Sequence, residues 1–285
     1  MKNFLLITNQ SKKEAVKYSK KIEKIIEEAG CKCLGNLITE KQAGKGYAFT
    51  NPDFVPKETE CIIVLGGDGT FIHAAKDLLK LKLPLLGVNY GTLGYLAEVE
   101  INNFKKAIEK LKKDDFVIED RMLLSGEITR DGKVIKKDIA LNDVVFNRMP
   151  PTGVMKYEIK IDGVKLNEYA ADGIIVSTPT GSTGYNLSAG GPLVQPEAEI
   201  ILITPMCPHT LNSRSIVFSA KSVVEIKGTI SHNDDKQQIF VSFDGDGNYM
   251  LDKGDVIKVK KSRLLVKMIR ISDSSFVETV GKKMR

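Results

Sequence analysis

The run Cys61-Ile62-Ile63-Val64-Leu65 constrains this chain more than any other feature. Five consecutive apolar residues suit a strand buried on both faces, which is the condition of strands in a parallel sheet. The run ends in Gly66-Gly67-Asp68-Gly69-Thr70, and helical spacing follows from Thr70 to Leu81. A buried strand that gives way to three glycines around one carboxylate, and then to a helix, is organised around that turn.

The neighbouring segments repeat the alternation. Phe4–Ile7 reads as a short strand, and Ser11-Lys-Lys-Glu14 has the form of a capping box. Ile22, Ile25, Ile26 and Ala29 recur at helical spacing, with Gly30 placed to stop the helix. Leu85–Val88 is a further strand, and Asn103–Lys112 a short amphipathic helix. Strands alternating with helices predict a parallel sheet covered on both sides. Near residue 118 the pattern changes to short strands and turns. Glu127–Thr129 and Val134–Ile135 flank Asp131-Gly132, and Tyr157–Ile161 and Val164–Leu166 flank Asp162-Gly163, both as hairpins. Val217–Phe218, Val223–Ile226, Ile239–Phe243 and Val256–Val259 continue the series, and the tail from Ser274 regains mild helical character. The expected fold class is α/β plus β. A Rossmann-like N-terminal α/β domain with a parallel sheet (1–118, with the tail 270–285 returning to it) precedes a β-rich, sandwich-like domain (119–269).

Composition excludes little beyond this. The 285 residues are 42% hydrophobic, enough for a sizeable core. No apolar stretch reaches 18 residues, and the start, MKNFLLITNQ, reads as a first strand rather than a signal peptide. Cys31-Lys-Cys33 lacks zinc-knuckle spacing and a second pair, so the four cysteines read as free thiols of a reducing cytoplasm. The excess of +6 is spread along the chain. It suits phosphate-bearing small molecules as well as nucleic acid.

A glycine-rich turn between strand and helix is a common phosphate site, because the backbone can approach a phosphate and the helix presents free N–H groups. Ligands of open α/β sheets bind at the carboxyl ends of the strands. Two familiar versions fail. No GxxxxGK[ST] run occurs, and Gly67-x-Gly69 meets Ile72 where GxGxxG needs a glycine. A plain Asp-Gly turn is the bland alternative, since the chain has five other Asp-Gly pairs. The full Gly-Gly-Asp-Gly-Thr run in its strand–helix setting outweighs it. That run resembles the signature shared by NAD kinases, diacylglycerol and sphingosine kinases and phosphofructokinases, whose loop serves phosphoryl transfer to a hydroxyl.

A second run chooses among them. Asp172-Gly-Ile-Ile-Val-Ser-Thr-Pro-Thr-Gly-Ser-Thr-Gly-Tyr-Asn-Leu-Ser-Ala-Gly-Gly191 joins a buried strand to five hydroxyl residues among Pro179, Gly181 and Gly184. Such a loop suits a polar ligand with a flat base. It resembles the second motif of the ATP-dependent NAD kinases of bacterial type, the polyphosphate/ATP-NAD kinases. Leu141-Asn142-Asp143-Val144-Val145, the stretch Pro205–Leu211 with Arg214–Val217, and the loop Val88–Leu96 resemble the family's other motifs. Asp143 stands where the family has glutamate, Gly184 where alanine precedes the tyrosine, and Asp246 where many members have glutamine.

The resemblance implies transfer of the γ-phosphoryl group of ATP, or of polyphosphate, to the 2′-hydroxyl of the adenosine ribose of NAD. Asp68 is then general base and ribose ligand. Gly67, Gly69 and Thr70 cradle phosphates. Magnesium or another divalent cation is held by phosphate oxygens rather than by protein ligands. Family likeness places Asn142, Asp143, Asp172, Thr180, Thr183, Gly184, Tyr185, Asn186 and Ser188 around NAD, with Asp246 as a further contact. Tyr95 reads equally as a stacking ring or a core aromatic, and His73 as a phosphate contact or a half-buried helix residue. His209 reads as a loop brace and His232 as solvent-exposed. The implied enzyme is a cytoplasmic homodimer or homotetramer with no nucleic-acid or membrane partner, its site between the two domains and completed by a neighbouring subunit. Two rivals are a lipid kinase of the diacylglycerol type, which lacks a counterpart of residues 172–191, and a non-catalytic NAD-binding regulator, which has no use for Asp68.

Overall fold

The computed structural model describes residues 1–8, 13–38, 40–41, 48–91, 94–149, 155–210, 213–229, 238–271 and 275–283. Two compact units divide the chain, residues 1–120 with 265–285, and residues 121–264. No helix among the described residues is long and apolar enough to cross a membrane.

The first unit is built on parallel strands. Lys32–Ile38, Asn3–Thr8, Cys61–Leu65 and Leu85–Asn89 lie side by side in that order, and Met268 of the last strand pairs parallel with Leu85. All five residues of Cys61–Leu65 are buried, as its unbroken apolar run predicts. Helix Lys13–Glu28 buries Ala15, Ile22 and Ile26. It ends where Gly30 adopts φ +72°, with the Cys31 N–H on Ile26 O and the Gly30 N–H on Glu27 O. This is a Schellman stop, and its left-handed residue is the one the sequence marks. Ser11 and Lys12 of the expected capping box lie outside the described residues. Helix Phe104–Lys112 buries Phe104, Ala107, Ile108 and Leu111 on the same core. Chain order reverses between Asn3–Thr8 and Cys61–Leu65, since Asn3–Thr8 continues to the edge strand on its other side. That switch point, at the carboxyl ends of the strands, is where the Gly66–Thr70 turn emerges.

The second unit is a sandwich of antiparallel strands. One sheet runs Ile216–Ser219, Ile200–Met206, Gly173–Ser177, Asp143–Arg148, Ile239–Phe243 and Asp246–Leu251. The other contains Val164–Ala171, Met155–Ile161, Val224–Thr229 and the start of Val256–Arg270. Alternate residues of both meet in one core: Val144, Phe146, Ile174, Val176, Val241 and Phe243 from the first, Tyr157, Ile159, Val224, Ile226, Ile257 and Val259 from the second. The first sheet is also covered on its other face, where Val145, Ile175 and Met206 pack with Ala189 of the glycine-rich run. Burial on both faces makes Gly173–Ser177 a continuous apolar strand inside an antiparallel sheet.

The strand Val117–Arg130 is fixed at its end by a fork. Arg130 donates from Nε and Nη2 to the two oxygens of Asp255 at 2.9 and 2.8 Å, and Nη1 reaches Asp252 at 2.7 Å. Burial alone would raise the pKa of Asp255. The Arg130 guanidinium and the Asp252 N–H outweigh it and hold the carboxyl below its ordinary value. A depressed folded pKa contributes stability above the unfolded value, and that stability is lost as pH falls through the folded one. Asp255→Asn is therefore expected to lower the Tm at pH 7. The gap to the parent protein closes as pH drops below about 4, as a pH series of calorimetric melts would show.

Candidate active site

In the first unit the site is assembled from one turn and one distant backbone segment. The Gly66 N–H donates to Val88 O at 3.0 Å, tying the end of one strand to its neighbour. A Cβ on Gly66 would meet the Thr70 side chain at 2.8 Å, so the turn closes only with glycine there. Gly67 is the N-cap of helix Asp68–Asp77, which places Asp68 in the first turn, where the helix dipole favours negative charge. The Tyr95 N–H donates to Asp68 Oδ2 at 2.9 Å and the Leu96 N–H to Oδ1 at 3.2 Å. A Cβ on Gly94 would overlap the same carboxylate. Residues 94–96 thus form a fitted cradle for Asp68.

Around that carboxylate the surface is open. Gly67 and Gly69 are exposed, and a side chain at either would project into free space. Among the described residues nothing approaches a Cβ at either position, which leaves room for a ligand to approach the backbone closely. Thr70 and His73 are half-buried on the helix. Tyr95 is half-buried, with Lys283 Nζ 4.3 Å from its ring centroid, so one face of the ring already carries a cation.

In the second unit the expected residues gather at one end of the first sheet. Asp143 pairs with Ser177, and the hydroxyl-rich run folds back over Asn142. The Thr178 N–H donates to Asn142 O at 2.8 Å, Thr178 Oγ1 to Leu141 O at 2.6 Å, and the Gly181 N–H to Thr178 Oγ1 at 3.0 Å. A Cβ on Gly181 would overlap the Asn142 carbonyl, so that glycine permits the contact. Asn142 Oδ1 is buried and accepts no hydrogen bond among the described residues. Asp143 is 5% exposed. Thr180 is buried, with buried Arg121 reaching its hydroxyl at 3.5 Å, while Thr183 and Gly184 are half-buried and Tyr185 and Ser188 exposed. At Gly184 a Cβ would stand 3.3 Å from Gly181 O and 3.5 Å from Asn142 Nδ2. An alanine there needs only a small adjustment.

Two expected residues are engaged away from this cluster. Asn186 is fully buried, and its amide is spent inside the loop, donating to Pro192 O at 3.1 Å and accepting from Thr204 Oγ1 at 2.7 Å. Asp172 precedes the other end of strand Gly173–Ser177, about 17 Å from Ser177 at the rise of a strand. There it accepts from Arg148 Nε at 2.8 Å. Asp246, by contrast, stays with the cluster: half-buried at the start of strand Asp246–Leu251, it pairs with Phe243, which in turn pairs with Val144. His209 braces its loop through a backbone N–H on Ala170 O, and His232 lies outside the described residues.

The residue that sequence reasoning missed is Asp244. Its Oδ2 accepts from the Leu141 N–H at 2.8 Å, and its Oδ1 from the Asn142 and Asp143 N–H groups at 2.7 and 3.1 Å. One carboxylate therefore fixes the backbone of the whole Leu-Asn-Asp stretch. The signal in sequence is an Asp-Gly pair, and it reads as a turn. It is one, with φ of +55° and +78° at Asp244 and Gly245.

Residues 4–116 match the ATP-NAD kinase N-terminal domain model and residues 141–271 the ATP-NAD kinase C-terminal domain model. The chain belongs to the ATP-NAD kinase family. Membership makes it an enzyme of the kinase class. It is 40% identical over 294 residues to the NAD kinase of Lachnospira eligens, with all of both chains covered. It is 41% identical over 285 residues to that of Lachnoclostridium phytofermentans, with 99% of each covered. Among solved structures the fold resembles yeast NADH kinase complexed with NADH, with a TM-score of 0.83 at 22% identity over 100% of this chain and 87% of that one. It also resembles an NAD kinase from Archaeoglobus fulgidus in complex with ATP, with a TM-score of 0.71 at 23% identity over 99% and 98%.

Hydrogen bonds to a charged acceptor contribute about 1.5–3 kcal/mol each. Asp244→Ala removes the acceptor of three N–H groups at once. It is expected to lower unfolding stability by at least about 3 kcal/mol in urea titrations and to weaken NAD binding.

Proposed function

We propose that this kinase transfers the γ-phosphoryl group of ATP to the 2′-hydroxyl of the adenosine ribose of NAD, with Asp68 as general base. The observation that carries the reading is the Asp68 carboxylate itself. It is held by two backbone N–H groups at a helix N-terminus, beside glycines whose outer face is open. Each Asp68 oxygen keeps a lone pair beyond the one used by the cradle. In the transfer the 2′-O–H bond breaks and its proton passes to Asp68. The 2′-oxygen bonds to the γ-phosphorus, and the bond from that phosphorus to the bridging oxygen breaks to leave ADP. Catalysis rests on positioning and on charge neutralisation.

The Gly67, Gly69 and Thr70 backbone is the proposed phosphate cradle. Asn142, Asp143, Thr180, Thr183, Gly184, Tyr185 and Ser188 are the proposed NAD contacts. The unmet Asn142 Oδ1 offers an acceptor for an amino group, and exposed Tyr185 a ring for stacking. Asn186 serves by bracing that loop, and Asp172 by pairing with Arg148. The described residues hold no group of three or more His, Cys, Asp or Glu side chains able to bind a metal. In this reading a magnesium ion ligated chiefly by triphosphate oxygens and water would offset phosphate charge during transfer. Exposed Val134, Ile135, Val164 and Leu166 on the hairpins of the second unit suit association of copies in a cytoplasmic homo-oligomer.

NADP formation from NAD, ATP and magnesium tests the reading. Asp68→Asn keeps shape and loses basicity, so kcat is expected to fall by about 10²–10⁴ with NAD affinity nearly unchanged. Gly94→Ala, which displaces the carboxylate without removing it, is expected to cost about 10² in kcat. Equal turnover by Asp68→Asn would remove the general base from the mechanism.

A further inference from the structure

A cavity of about 900 Å³ opens in the first unit among residues 94–100, helix Phe104–Lys112 and the C-terminal helix Phe276–Lys283. Of its lining residues the proposed reaction uses only Gly94 and Tyr95. Its size lies within the range of small-molecule sites. Five basic side chains line it, Lys106, Lys110, Arg270, Lys282 and Lys283, against Glu98 and Glu100. Five minus two leaves three positive charges. Arg270 and Lys110 are largely neutralised, Arg270 by Glu98 at 3.1 Å and by Glu119, outside the lining, at 3.4 Å, and Lys110 by Asp115, also outside it, at 3.9 Å, with its Nζ donating to Ile271 O at 2.9 Å. Lys106 and Lys282 are exposed at the rim. Apolar surface comes from Val99, Ala107 and Ile271 and from the Tyr95 ring. Cations at the rim above an apolar wall match a phosphate ester that carries a flat ring.

The wall of this cavity is also the Asp68 cradle. Gly94 and Tyr95 line it, and the Tyr95 N–H holds Asp68 Oδ2 at 2.9 Å. Lys283, another lining residue, sits on the Tyr95 ring. An occupant that competes for Lys283 or leans on Tyr95 acts on the segment that orients the carboxylate.

We propose that this cavity is an effector site for a mononucleotide, a phosphate ester held by Lys106 and Lys282 with its base against Tyr95 and Ile271. Occupancy is read out at Asp68 through residues 94–96. The binding half stands alone, and the regulatory half rests on the proposed role of Asp68. Guanosine 5′-monophosphate is a suitable probe because it is neither reactant nor product of the proposed reaction. Calorimetric titration of the full chain with saturating NAD present should show it binding, with inorganic phosphate binding at least about tenfold more weakly. The double variant Lys106→Glu, Lys282→Glu should lose about tenfold or more in affinity for the nucleotide and keep the parent's basal turnover. In NADP-formation assays the nucleotide should change kcat of the parent and leave that of the variant unchanged. No binding to the parent, or equal binding to the variant, overturns the site. Equal affinity for inorganic phosphate overturns the base contact. Binding through the lysines with kcat unmoved overturns the regulatory half. A parent protein that makes no NADP defeats the kinase reading instead, and the titration still decides the binding half.

Discussion

The proposed chemistry of the first unit depends on two backbone N–H groups, those of Tyr95 and Leu96, meeting one carboxylate. A lone Asp at a helix N-terminus has several rotamers and open water around it. Two donors from a single segment select one rotamer and aim the remaining lone pairs outward. The parallel sheet serves this contact. Strands Cys61–Leu65 and Leu85–Asn89 run in register side by side, so the loops leaving their carboxyl ends emerge together. The Gly66 N–H on Val88 O then locks the two exits.

The second unit applies the same principle with the roles reversed. There a side-chain carboxylate, Asp244, organises backbone, whereas in the first unit backbone organises the carboxylate of Asp68. The three N–H groups of Leu141–Asp143 are satisfied by Asp244 on one side, and the Leu141 and Asn142 carbonyls by Thr178 on the other. A loop rich in Ser, Thr and Gly loses much conformational entropy when it is ordered. These short-range bonds, and the packing of Ala189 on the sheet, hold the run from 178 to 191 to one shape.

How much of this was legible in the sequence depended on how local each signal was. Asp68 was readable because its glycines, strand and helix are contiguous. So was the Gly30 helix stop, whose left-handed residue needs no distant partner. The Tyr95 and Leu96 donors were not readable as such, since they lie 27 and 28 residues away and any residue type supplies an N–H. Asp244 was hidden for the same reason: its partners are 101 to 103 residues distant, and its local pattern is that of an ordinary turn. Asp172 and Asp143 looked alike as carboxylates flanking glycine-rich or apolar runs. Only strand register, with Asp143 opposite Ser177 and Asn147 opposite Gly173, separates them to opposite ends of one strand. The helical tail was legible from its spacing, but not the placement of Lys283 over Tyr95, which tertiary packing decides.

The most direct test of the central claim is a crystal structure of the protein with NAD bound, measuring the distance from the ribose 2′-hydroxyl to Asp68. The account predicts that the hydroxyl lies within about 2.6–3.2 Å of an Asp68 oxygen, with the Tyr95 and Leu96 bonds intact. A 2′-hydroxyl facing another carboxylate, with Asp68 still held in its cradle and out of reach, would contradict it.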